Sequence, residues 1–88
     1  MDVVILKVSS KSNPNLVAGA LAGTIKESGK AELQAIGAGA INQAIKAIAI
    51  TRNIFAQSDI DLICVPSFAD LTIDDQVRTS IKLVVEPR

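Results

Sequence analysis

The stretch that most constrains this chain is Gly37-Ala-Gly-Ala-Ile-Asn-Gln-Ala-Ile-Lys-Ala-Ile-Ala-Ile-Thr-Arg52, a glycine-rich turn running directly into the most regular apolar pattern in the sequence. Ile41, Ile45 and Ile48 follow the i, i+4, i+7 spacing of a buried helix face, and Arg52 closes that line where its stem can reach solvent. Asn42, Lys46 and Asn53, with Ala49 between them, form the only polar stripe. Because Ala47, Ile50 and Ile54 fall on a further side, the helix is apolar over more than one core-facing stripe. It is expected to touch a neighbouring helix or a second subunit as well as a sheet.

The remaining segments read as elements packed around this helix. Val3-Val-Ile-Leu-Lys-Val8 is β-branched and short, as a largely buried strand would be, with Lys7 marking the exit to solvent. Asn13 then offers an N-cap and Pro14 a first helical position, which predicts a helix over residues 14–28 that is stopped by Gly29. Its buried line is Val17, Ala18, Leu21 and Ile25. Gly19 and Gly23 inside it each cost about 1 kcal/mol relative to alanine, and a close backbone approach, within or between subunits, is the expected return. Lys30-Ala-Glu-Leu-Gln-Ala-Ile36 alternates with a period of two and predicts a half-exposed strand. The central helix follows, ending near Ile54 or Phe55. Ile60-Asp-Leu-Ile-Cys-Val-Pro66 predicts a third strand stopped by Pro66, and residues 77–85 a fourth with Arg78 and Lys82 outward. Between them Leu71-Thr-Ile73 and Asp74-Asp75 predict a hairpin whose arms reach beyond the sheet. The order β-α-β-α-β-β, with right-handed strand-helix-strand crossovers, implies a two-layer α/β sandwich. Both helices cover one face of a four-stranded mixed sheet.

With 88 residues the chain supports one domain, residues 1–88, with one modest core. Lys and Arg number nine against nine Asp and Glu, so the bulk cationic signature of a strong nucleic-acid binder is absent. The charges are nonetheless uneven: six basic and three acidic residues precede Phe55, and three basic and six acidic follow it. The lone Cys64 cannot form an internal disulfide. With no secretory leader and no apolar run of membrane-spanning length, a cytoplasmic protein is expected.

Each motif with chemical potential has a plainer structural reading. Gly37-Ala-Gly39 between a strand and a helix suits a phosphate, but a dinucleotide fingerprint needs a third glycine where Asn42 stands and an acid closing the next strand, whereas Asp59 and Asp61 open it. Tight-turn glycines are the better account. Cys64 lies mid-strand beside Ile63 and Val65 in a chain without histidine, and reads as a small buried hydrophobe rather than a nucleophile or ligand. Asp70, Asp74 and Asp75 fit no calcium loop. No catalytic site, metal or cofactor is expected.

Several separated blocks carry a resemblance that spans nearly the whole chain. Lys7-Val-Ser, Ser12-Asn-Pro-Asn, Val17-Ala-Gly-Ala-Leu-Ala-Gly23, Gln34-Ala-Ile-Gly-Ala-Gly-Ala, Asn42-Gln-Ala, Asp61-Leu-Ile-Cys and the tail Arg78-Thr, Ile81-Lys-Leu and Val85-Glu-Pro-Arg88 resemble the bacterial stage V sporulation protein S family. That family in turn resembles, distantly, the Alba superfamily of small dimeric nucleic-acid-binding proteins, which share the same element order. Residues 40–55 are similar to their second helix. Arg52 and Phe55 match directly, and Asn42 falls where those proteins have a small hydroxyl residue. Their helix arginines are replaced here by Gly37, Gly39 and Gln43. Lys11 lies just upstream of their lysine pair, whose positions here are Ser12 and Asn13, and their basic hairpin carries Asp70, Asp74 and Asp75 here.

The resemblance implies a non-enzymatic, dimeric regulatory protein of sporulation or related development, binding DNA or RNA modestly. Lys11, Asn42, Lys46, Arg52 and Arg78 are the candidate contacts, with Lys7 a further candidate. The rival expectation is a protein-interaction module that keeps the fold and lacks the nucleic-acid surface, for which zero net charge and the acidic hairpin speak. A third is a small anion or nucleotide at the Gly37 turn, although no small-molecule substrate is expected.

Overall fold

A computed structural model describes residues 4–88 and gives the expected order: β1 (Ile5–Val8), α1 (Pro14–Ser28), β2 (Ala31–Ala35), α2 (Ala38–Ala56), β3 (Leu62–Ile73) and β4 (Gln76–Pro87). Val3, expected as the start of the first strand, lies outside the described residues. The sheet order is β1-β2-β4-β3, with β1 parallel to β2 and the other two pairings antiparallel. The fold is thus a two-layer sandwich of two helices on a mixed sheet. Leu33, Leu83 and Val85 point into the core beneath Leu21, Ile25, Ile48 and Phe55. Glu32, Gln34, Lys82 and Val84, one residue out of phase, occupy the opposite, half-exposed face.

Helix α1 starts and stops where its local chemistry dictates. The Asn13 side chain accepts from the Asn15 and Leu16 amides at 2.9 and 3.4 Å, and Pro14 follows as the first helical residue. At the other end Gly29 takes a left-handed φ of 83° and its N–H donates to the Ile25 carbonyl at 2.8 Å. Of the two alternatives for the interior glycines, the structure bears on the one within the chain. Gly19 and Gly23 are exposed, and a Cβ on either would meet nothing within 4 Å, so neither serves a close approach among the described residues.

Helix α2 packs on a line that shares only Ile48 with the one its isoleucines mark. Ala40, Ala44, Ala47, Ile48, Thr51 and Phe55 are buried, whereas Ile41 and Ile50 are half-buried and Ile45 remains 48% exposed. Alanine wins the buried positions because α1 crosses close by: the Thr51 hydroxyl, itself buried, donates to the Ala47 carbonyl at 2.9 Å and lies 3.3 Å from the Ala18 carbonyl of α1. Larger side chains there would separate the helices. Of the Ile41-Ile45-Ile48-Arg52 line only Ile48 joins the core, and Arg52 at its end reaches Asp61 just before β3.

Pro66 does not end β3. The strand runs twelve residues through it, pairing Pro66 with Leu83, because β3 is a sheet edge where a missing N–H leaves no ladder bond unmade. β3 and β4 then continue past the end of β2 as a two-stranded arm, which gives the molecule its 44 Å long axis. Asp74 and Asp75 form the two-residue turn with φ of 50° and 63°, both in the left-handed region that primed hairpin turns require. Aspartate tolerates that region better than most residues, so the acidic pair has a backbone role.

Candidate nucleic-acid interface

The loop after β1 and the first turns of α2 are built as one unit. Ser9 and Ser12 fold the loop on itself: the Ser12 N–H donates to the Ser9 carbonyl at 3.1 Å, the Ser9 N–H to the Ser12 hydroxyl at 2.9 Å, and the Lys11 N–H to the Ser9 hydroxyl at 3.2 Å. The Gln43 side chain then donates to the Ser12 carbonyl at 2.9 Å and ties the loop to α2. Gly39 completes the join, because a Cβ there would stand 2.9 Å from the Ser10 Cβ. Gly37 makes the preceding turn with φ 88° and ψ 158°, a conformation open essentially to glycine alone. No side chain caps α2, so its first-turn amides have no side-chain acceptor.

This joinery gathers three of the five candidate contacts at one end of the molecule. Lys11 is exposed on the tied loop, and Asn42 and Lys46 are exposed one turn apart on α2. Lys46 also lies three residues after Gln43, on the side of the helix that holds the loop. Among the described residues none of these side chains is in an ion pair.

The two arginines lie elsewhere. Arg52 donates to Asp61 at 2.9 Å while Arg88 donates to the other oxygen of the same carboxylate at 2.7 Å. The two guanidiniums, Arg88 first and Arg52 second, hold the Asp61 carboxyl below its ordinary range. Arg52 therefore serves a clamp that joins α2, the start of β3 and the C-terminal residue. It sits ten residues beyond Asn42, roughly 15 Å along the helix. Arg78 is exposed on the arm, paired across the strands with Leu71. Cys64 is half-buried against the core, and burial pushes its thiol pKa up, which leaves it a protonated, unreactive side chain at neutral pH.

Next to the loop lies a cleft of about 580 Å³ between the arm and the ends of β1 and β2. Lys7 and Gln34, paired across those strands, line it from the sheet, Leu71 and Ile73 from the arm, and Gly37 and Gly39 from the α2 turn. The alternation of β2 already put Gln34 on the outer face and Lys7 stood at the exit of β1; the arm wall depends on how distant strands pair, for which no local sequence signal exists. Gln43 was visible only as a substituted arginine, not as the tie to Ser12.

Among the described residues no helix is long and apolar enough to cross a membrane. The loop, the glycine turn and the arm all fall within residues 4–88, which match the family model for stage V sporulation protein S, and the chain belongs to that family of sporulation proteins.

Proposed function

We propose that this sporulation-family protein is a non-enzymatic, cytoplasmic regulator that binds nucleic acid as a dimer through the surface where Lys11, Asn42 and Lys46 converge. The observation that carries the reading is the Gln43 to Ser12 hydrogen bond, which holds the lysine-bearing loop against the uncapped start of α2. Two cations and a set of free amides on one rigid surface suit phosphate oxygens, which supply most sequence-independent affinity. With so few cations, affinity is modest. A gel-shift series over increasing salt, on DNA and on RNA, tests this. The Lys11→Ala, Lys46→Ala double variant should lose most binding and flatten the slope of log K against log salt by about 0.7 to 0.9 per phosphate contact removed. A Cys64→Ser control should bind as the parent does. Parental affinity and slope in the double variant would show that the surface is wrong.

A second reading, a protein-interaction module, is favoured by the arm: Phe68 is 79% and Val77 70% exposed, close to Asp70, Asp74 and Asp75. Absence of any salt-sensitive nucleic-acid binding by the parent protein would give precedence to that reading.

A further inference from the structure

We propose that the cleft between the hairpin arm and the ends of β1 and β2 is a pocket for one unpaired nucleotide, with its base between the apolar walls and its phosphate at Lys7. The inference deepens the nucleic-acid reading above, because it specifies a single-stranded or extruded nucleotide as what this end of the molecule recognises. At about 580 Å³ the cleft falls within the range of ordinary ligand pockets, and most of its lining is apolar with a few polar groups. Ile36 on the sheet side and Leu71 and Ile73 on the arm supply apolar surface to its walls. A base presents two such faces, and pockets for flipped bases are built from apolar or aromatic walls of this kind.

The polar groups match the rest of a nucleotide. Gln34 carries both an amide donor and a carbonyl acceptor, as the edge of a base requires, and its amide nitrogen has only a long 3.5 Å contact to Glu32. Lys7 is exposed at the pocket wall and, among the described residues, is in no ion pair; no acidic side chain lines the cleft. The charge therefore favours an anion. Arg78, across the arm from Leu71 and on the same face of it, supplies a second cation within the same region. A base inside a duplex cannot enter such a cleft, since its faces are stacked and its edge is paired. The cleft also opens beside the loop that carries Lys11, so a strand following Lys11 and Lys46 passes the pocket mouth.

The test uses the full chain with a short single strand, in DNA and in RNA, carrying one 2-aminopurine, alongside the same label in a duplex and adenosine 5′-monophosphate alone. A saturable fluorescence change with the single strand and at least a tenfold weaker one with the duplex is expected. Ile73→Glu, at an exposed position whose change spares the core, should abolish the fluorescence change and weaken single-strand binding about tenfold. Duplex binding should stay at the parent level. Lys7→Ala should lower the single-strand salt slope by about 0.7, the share of one phosphate contact. Shifts of the Gln34 side-chain amide on adding adenosine monophosphate, lost in Ile73→Glu, support the pocket with a free nucleotide as the source, even if no strand binds. If strands bind through Lys11 and Lys46 with no fluorescence change and no effect of Ile73→Glu, the pocket is overturned and the interface stands. If neither strand nor mononucleotide binds, both fall.

Discussion

Asp61 shows how one carboxylate can settle the role of two arginines. Its oxygens are divided between Arg52 and Arg88, and both contacts are solvent-exposed, so their energetic return is small and salt-sensitive. Their consequence for titration is directional. The folded-state pKa is depressed, so the clamp is fully formed at pH values above the unfolded carboxyl's pKa and is lost as pH falls through the lower folded value. An NMR titration of the Asp61 carboxyl should find it below the ordinary aspartate range. Arg88→Ala should raise it more than Arg52→Ala, because the Arg88 hydrogen bond is the larger cause. An Asp61 that titrates normally in the parent would mean that the clamp is not formed in solution. The same residue explains why Arg52, an obvious surface cation in the sequence, is not one of the cations gathered at the loop end: nothing local announces a partner nine residues away across a turn.

At the scale of elements, helix α1 separates what spacing reveals from what it hides. Its ends were legible because Asn13, Pro14 and Gly29 act on their own neighbours, and its buried line because Leu21 and Ile25 have one face available. The reason for Gly19 and Gly23 was not legible, since it depends on what stands opposite them, and among the described residues nothing does. Gly19→Ala and Gly23→Ala should each stabilise the fold by roughly 0.5 to 1 kcal/mol, as the added methyl meets open space and the unfolded chain loses freedom. The pair should raise the melting midpoint by several degrees in a calorimetric scan. A fall instead would mean that the glycine face is covered by another molecule in solution. Helix α2 was legible only in part: the periodicity marked Ile41, Ile45 and Ile48 as core, whereas Ile48 alone of the three is buried, Ile45 is exposed, and alanines with Thr51 fill the other buried positions near the crossing with α1. The candidate interface was half legible, for Lys11, Asn42 and Lys46 follow from strand and helix order, while Gln43, the cleft and the fate of Arg52 arise from contacts between distant segments.

At the scale of the whole molecule, the outward isoleucine and the arm bear on the proposed dimer. Cys64, Pro66 and Phe68 lie opposite Val85, Leu83 and Ile81, so they point to the helix side of the sheet, the side that carries α2 with its exposed Ile45. They make an apolar surface that includes Phe68, one of only two aromatic residues in the chain, at 79% exposure, while the other, Phe55, is buried. Exposed aromatic anchors of this kind dominate interface energetics, and a two-fold axis lets one patch serve both partners. Strand-to-strand pairing along the β3 edge is the less suitable route, because Pro66 interrupts the donors that such an edge would offer. Light scattering at micromolar concentration should therefore give twice the chain mass for the parent and the single-chain mass for Phe68→Asp or Ile45→Asp. Both positions are exposed, so neither change should disturb the monomer's fold, and unaltered far-ultraviolet circular dichroism checks that. The change should carry through to binding. Two linked Lys11 and Lys46 surfaces engage one nucleic acid with the second contact made intramolecular, so the monomeric variants should bind more weakly and with about half the parent's salt slope. A parent that is monomeric, or a monomeric variant with the parent's full slope, would show that each chain binds alone.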